Sequence, residues 1–342
     1  MKSLLLALLL PAAALAGGDQ EWSAIVAMDA GPGKSPKTRE EAQLQARTHF
    51  ARHQALIEEF LAKYPNDPRA FDARLRLAAI LAARGHMDNA PAQVDEAIRI
   101  LAALEKLPGI PEASRADAGF RRASLYLQSL IGREYEMRGA IVDAARNFVE
   151  KYPGDRRGPR LLVEASTVCD SDPALKRKLL TEARDLSKEE ALNRRIADDL
   201  VRLNLLDRPF RLNFPTIQGG TFRTEDQLGN VVVIVFWSAE SPHCLLWMKG
   251  FRRAMEQLPK TSLRIATVSL DTNKKALLQR MNEFQIEAWP TSFDGLGWDS
   301  AVARPLGINS LPTTFVIDKK GVLRAINARD NHDLWVRRLL RE

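Results

Sequence analysis

A chain of 342 residues is longer than one ordinary hydrophobic core supports, so two domains are expected. Its make-up, 45% apolar and 27% charged, is that of a globular protein and excludes a disordered or low-complexity chain. The net charge of +7 comes from Lys and Arg scattered among Asp and Glu, with no basic block interleaved with aromatics, so solvated helix faces explain it and no nucleic-acid partner is expected.

In chain order, residues 1–16 read as a secretory signal peptide. Lys2 gives the positive start, Leu4 to Leu10 the apolar run, and Ala14-Leu15-Ala16 a small-x-small cleavage site before Gly17. The run is well short of the ~20 residues a spanning helix needs, and no later segment is long and apolar enough, so no stable membrane insertion is expected. No cysteine lies near the cleavage site to carry a lipid. The mature chain is therefore expected across a bacterial inner membrane, periplasmic or extracellular. It carries only Cys169 and Cys244, too few for a disulfide scaffold and placed in different expected domains. Residues 17–40 read as a poorly ordered N-terminal segment.

Residues 41–205 read as helix after helix. Stretches such as EEAQLQARTHFARHQALIEEFLAKY, APAQVDEAIRILAALEKL and EALNRRIADDLVRLNLL space their apolar residues at the helical period. Pro and Gly break the connections in YPNDP, LPGIP, YPGDRRG and CDSDP. One motif recurs: Phe60-Leu-Ala-Lys-Tyr64-Pro65 returns as Phe148-Val-Glu-Lys-Tyr152-Pro153. Both copies resemble the F-x-x-x-Y-P helix ends of tetratricopeptide-like hairpins, without a regular 34-residue period. Stacked hairpins either offer a surface to a partner or simply pack together, and the sequence leaves both open.

From residue 206 the grammar changes. VVVIVFW (231–237) is a continuous apolar run of strand length, as for a strand buried on both faces. A helix from Ser241 to Leu258 follows, then a strand at 262–270, a helix at 273–284, a short helix at 299–306, strands at 313–318 and 322–327 joined by Lys319-Lys320-Gly321, and a last helix from Asp330 to Arg341.

That order and its landmarks resemble a thioredoxin-like domain of the TlpA/ResA type within the redoxin group. The landmarks are Phe210, Leu212, Gly220 and Leu228-Gly229-Asn230-Val231; Phe236-Trp237 ending a strand; Trp289-Pro290; and, most specific, GINSLPTTFVIDKKG (307–321). The resemblance covers residues 206–342 and implies a three-layer α/β/α sandwich behind an all-α, repeat-like domain. It also implies thiol-disulfide oxidoreductase chemistry, a cis Leu311-Pro312 bond beside the active site, and no cofactor.

The active-site stretch departs from the family. Members read close to FWATWCPPC, whereas this chain reads FWSAESPHC, so Ser241 stands in place of the first cysteine, Cys244 is the second, and Glu240 replaces a tryptophan. The first cysteine of such a site is the nucleophile, favoured as thiolate at a helix N-terminus, and the second resolves the mixed disulfide. A hydroxyl cannot exchange with a disulfide, and His243, two residues on, points to another side of the helix. The natural role for Ser241 is helix N-cap. The site residues are thus Cys244, Ser241 and Pro312, with weak or absent dithiol reductase activity. The alternatives are a redox-inactive module that binds a protein or peptide through the helices and the groove beside Pro312, and a one-cysteine peroxidase reading Ser241-Pro242-His243-Cys244 as Ser-x-x-Cys. The peroxidase reading lacks the upstream proline, since Ser238 and Ala239 stand there. Trp247 and Trp298 read as packing residues that could also line the groove. No metal set is expected. His49 and His53 share a helix face but read as solvated.

Overall fold

A computed structural model describes residues 18–33, 35–130, 136–327 and 332–342. The signal-peptide reading of residues 1–16 lies outside the described residues. The chain divides into two compact units, Met1–Asp155 and Arg156–Glu342.

The first unit is helical. Its helices are α1 (Asp19–Ala27), α2 (Arg39–Lys63), α3 (Ala70–Met87), α4 (Pro91–Leu104), α5 (Glu112–Ser129) and α6 (Arg138–Lys151), and from α1 to α6 consecutive helices pack on one another. Helix α1 corrects the expectation of disorder over 17–40. Ile25 is fully buried with Ile57 and Phe60 of α2, and the Trp22 ring lies 5.5 Å from that of Phe60. Apolar burial by two residues of one short helix was too small a periodic signal to read. Thr38 caps α2 by accepting the N–H of Glu41.

The recurring F-x-x-x-Y-P motif has one geometry in both places. Tyr64 and Tyr152 end their helices at φ −131° with ψ 63° and 67°. Each donates its backbone N–H to the carbonyl of the phenylalanine four residues earlier, and each tyrosine ring lies beside that phenylalanine, at 5.5 and 5.3 Å. A glutamate brought in from elsewhere accepts the tyrosine hydroxyl and the neighbouring lysine: Glu21 at 3.1 and 2.5 Å, and Glu105 at 3.0 and 2.8 Å.

The second unit begins with helices α7 (Gly158–Ser166), α8 (Pro173–Leu186) and α9 (Glu190–Leu205). The sheet elements follow: β1 (Asn213–Pro215), β2 (Thr221–Arg223), β3 (Val231–Trp237), α10 (Pro242–Glu256), β4 (Leu263–Ser269), α11 (Lys274–Phe284), β5 (Thr291–Ser292), β6 (Thr313–Ile317), β7 (Leu323–Ile326) and α12 (His332–Arg341). The main sheet runs β5-β4-β3-β6-β7, with β3, β4 and β5 parallel and β6 antiparallel to both its neighbours, β3 and β7.

All seven residues of β3 are buried because the sheet is covered on both sides. Val231, Val233, Val235 and Trp237 face a core with residues of α10, α11 and α12. Val232, Ile234 and Phe236 face a second core with Phe214 and Phe222 of the β1–β2 hairpin, Ala303 and Ile308, and partly buried Leu205 at the end of α9. This second covering layer is mostly hairpin and loop. In place of the expected helix over 299–306 stand two 3-10 turns, Gly297–Asp299 and Arg304–Leu306. Pro305 lacks the N–H that a continuous helix would use.

Candidate functional site

Register places the two halves of the site together. Phe236 pairs with Thr313 across the β3–β6 ladder, so one step further Pro312 stands opposite Trp237. The Leu311-Pro312 bond is cis. Partly buried Leu311 packs against the cluster that holds Cys244. The stretch Ser238–Ser241 leaves the end of β3 and α10 starts at Pro242, so SPHC begins at the strand-to-helix corner beside Pro312.

Ser241 is the N-cap of α10. Its backbone is extended (φ −90°, ψ 114°) and its hydroxyl accepts the N–H of Cys244 at 3.3 Å, while Pro242 occupies the first helical position, where a missing N–H does no harm. Cys244 is 0% exposed, in an apolar cluster with Trp237, Ala239, Met248 and Phe251. Glu240, Pro242 and His243 are exposed, and Leu246, in the second turn of α10, is 75% exposed.

The residue that organises this corner is one that sequence reasoning missed. Asp271, 0% exposed and just beyond β4, accepts from the hydroxyls of Ser238 and Ser269 at 2.6 Å each. It also accepts the backbone N–H groups of Ala239 at 3.0 Å and Glu240 at 3.3 Å. A buried carboxylate needs such donors. Here they lock the turn between β3 and α10. In the sequence, SLDTN reads only as the junction of the strand at 262–270 and the helix at 273–284; in the structure Asn273 caps α11. Nothing in that spacing shows that Asp271 turns inward to meet Ser238.

The two tryptophans part company. Trp247 stacks on Phe251, with ring centroids 4.7 Å apart, and belongs to the packing of the corner. Trp298 is 54% exposed, which corrects its reading as a packing residue. Cys169 is buried, its Sγ 3.4 Å from the carbonyl of Ala165, and it is not joined to Cys244. The histidine reading is corrected in part: His53 is buried, 3.9 Å from Asp29, and its ring lies 6.0 Å from that of His49. Among the described residues no group of three or more His, Cys, Asp or Glu could hold a metal ion, and no helix is long and apolar enough to cross a membrane.

A helical region followed by a mixed sheet with flanking helices, closed by a cis proline beside a strand-to-helix corner, is a thioredoxin-like architecture preceded by helices. Residues 208–326 match the model of the AhpC/TSA family. The thioredoxin domain of a thiol-disulfide oxidoreductase from Bacteroides vulgatus is similar at 17% identity and TM-score 0.34, over 39% of this chain and 93% of that one. A thiol:disulfide interchange protein of the thioredoxin family from Chlorobium tepidum is similar at 17% identity and TM-score 0.34, over 39% and 97%. A thiol-disulfide oxidoreductase from Bacteroides fragilis is similar at 17% identity and TM-score 0.32, over 37% and 96%. No curated protein sequence matches the chain.

Proposed function

We propose that this chain is an exported protein of the thiol-disulfide oxidoreductase class, of the TlpA/ResA type, whose dithiol cycle is lost, and that Cys244, Ser241 and Pro312 are the remnant of its site. One observation carries the reading. The hydroxyl at the attacking position caps the helix by holding the N–H of Cys244, while the Cys244 side chain has no exposed surface. Two-thiol exchange needs a thiolate that can reach a disulfide, and a serine in that place forms no mixed disulfide. The same burial weighs against a one-cysteine peroxidase, because peroxide must touch the sulfur.

What the corner retains is a surface. Leu246 stands exposed on α10, and partly buried Leu311, next to Pro312, packs against the cluster that holds Cys244. This supports a redox-inactive module that binds extended polypeptide, with the duplicated helix ends of the first unit as a second, tetratricopeptide-like surface. Export rests on the leader at 1–16 and places the protein outside the inner membrane.

The test is a thiol titration of the folded protein in a Cys169→Ala background, beside insulin-disulfide and peroxide reduction assays. Cys244 is expected to stay unreactive until the protein is denatured, and both assays to stay at background. Ser241→Cys is expected to create insulin-reductase activity, since only the nucleophile is missing from the corner. Rapid labelling of Cys244 in the folded wild type, or peroxide turnover by it, overturns the reading. N-terminal sequencing of the secreted chain is expected to begin at Gly17.

A further inference from the structure

A cleft of about 490 Å³ opens in the second unit, and no residue of SPHC lines it. Arg194 and Asp198 of α9 form one side; Trp298, Arg304, Ile308 and Asn309 form the other. Its volume is within the range of sites that hold a small molecule or a few side chains.

The floor is preformed. Gly307 has φ +67°, and a Cβ there would stand 2.6 Å from the carbonyl oxygen of Asp198, so α9 rests directly on this glycine. The Asn309 amide donates to the carbonyl of Arg195 and to Asp199, both at 3.2 Å, and its oxygen accepts from buried Arg202 at 3.0 Å. Arg202 is in turn paired with Asp199. A wall held in this way does not have to be ordered when something binds.

The rim is different. Trp298 is 54% exposed and belongs to neither core of the sheet. The Arg194 and Arg304 side chains are 70% and 73% exposed, held by surface pairs with Glu190 at 2.7 Å and Asp299 at 3.1 Å. Such exposed pairs contribute little and exchange readily for another carboxylate. Exposed Trp and Arg are the side chains that most often anchor a bound partner.

Position supplies the rest. Trp298 follows Gly297, whose Cβ position is 3.4 Å from Thr272 and 3.8 Å from the carbonyl of Leu270. Leu270 donates its N–H to Trp237 at 2.9 Å, so this rim stands at the same end of the sheet as the corner before α10. Asn309 lies on the segment that runs into Pro312. A chain laid beside Pro312 therefore has the cleft on its way.

We propose that this cleft receives an extended polypeptide segment, setting a large apolar side chain on Trp298 and an acidic side chain against Arg194 and Arg304. The inference names the partner chemistry of the polypeptide-binding reading above and rests on it. The probe is fluorescein-labelled α-lactalbumin, reduced and carboxymethylated so that it stays unfolded and acidic, titrated with the full secreted chain by fluorescence anisotropy. Trp298→Ala and Arg304→Glu are each expected to weaken binding by about fivefold or more, the scale of a hot-spot truncation. Arg177→Glu, an exposed change on α8, is expected to leave binding unchanged. No binding by the wild type overturns both the cleft and the polypeptide-binding reading. Binding that survives Trp298→Ala and Arg304→Glu overturns the cleft alone. Equal affinity for basic, reduced and carboxamidomethylated lysozyme, or retention only on peptidoglycan sacculi, overturns the stated chemistry.

Discussion

At the scale of single residues, Asp271 matters more to the corner than the cysteine does. Its carboxylate takes two hydroxyls and two backbone N–H groups, and all four donors belong to the strand ends and the turn that lead to Ser241. Removing it leaves the buried Ser238 and Ser269 hydroxyls and the Ala239 N–H without this acceptor. Asp271→Ala is expected to destabilise the second unit by about 2–4 kcal/mol, the range for stranding buried polar groups. It should also lower the activity of a Ser241→Cys background, because the turn no longer holds residue 241 at the helix start. Denaturant midpoints and insulin reduction measure the two effects separately, and Asp271→Asn tests whether hydrogen bonding without charge suffices. A loss of activity with no loss of stability would place Asp271 in the chemistry rather than in positioning.

At the scale of elements, the first unit is tied together by helix ends and by one buried histidine. His53 of α2 is 5% exposed. Burial pushes its pKa below the ordinary 6.5, against the pull of the Asp29 carboxylate, while His49 and Arg76 push the same way as burial. The unfolded chain therefore takes up this proton at higher pH than the folded one, and stability rises with pH through that window. The contribution is complete above about pH 6.5 and is lost as pH falls below it. Because the His53 ring also donates to the Ile25 backbone carbonyl of α1, the loss should appear where α1 meets α2. Hydrogen exchange, corrected for intrinsic rate, is expected to show the amides of α1 opening more readily at about pH 5.5 than at about 7.5 in the wild type, but not in His53→Leu. Equal pH sensitivity in both proteins would assign the effect to another group.

At the scale of the whole molecule, the change of grammar at 205/206 and the division into compact units at 155/156 are different boundaries. Helix α9 explains the difference. Its Asp198 backbone lies against Gly307, its Asp199 and Arg202 hold Asn309, and Leu205 joins the second core of the sheet. Residues 156–342 are expected to fold and melt cooperatively, and residues 206–342 to melt at lower temperature and expose their apolar face to a hydrophobic dye. Equal melting of the two fragments would show that α9 is an accessory to the sheet rather than part of it.

Much of this was legible in the sequence, because the signals were local. The unbroken run 231–237 requires a strand covered on both faces, and Ser241-Pro242 is a helix start whatever surrounds it. The spacing of SPHC puts Cys244 three residues after the helix cap. The rest depends on groups that are distant along the chain and adjacent in space. No spacing reports that Asp271 turns under Ser238, that His53 is covered by α1, that α9 rests on Gly307, or that Trp298 is left in solvent. Sequence by itself determined most of the elements, the N-cap of α10 at Ser241 and the place of the cis proline, since these follow from backbone geometry and side-chain chemistry within a few residues. Only the tertiary structure decided that Cys244 is sealed and that a cleft is lined by Asn309, on the segment that runs into Pro312, since burial is a property of what packs from elsewhere.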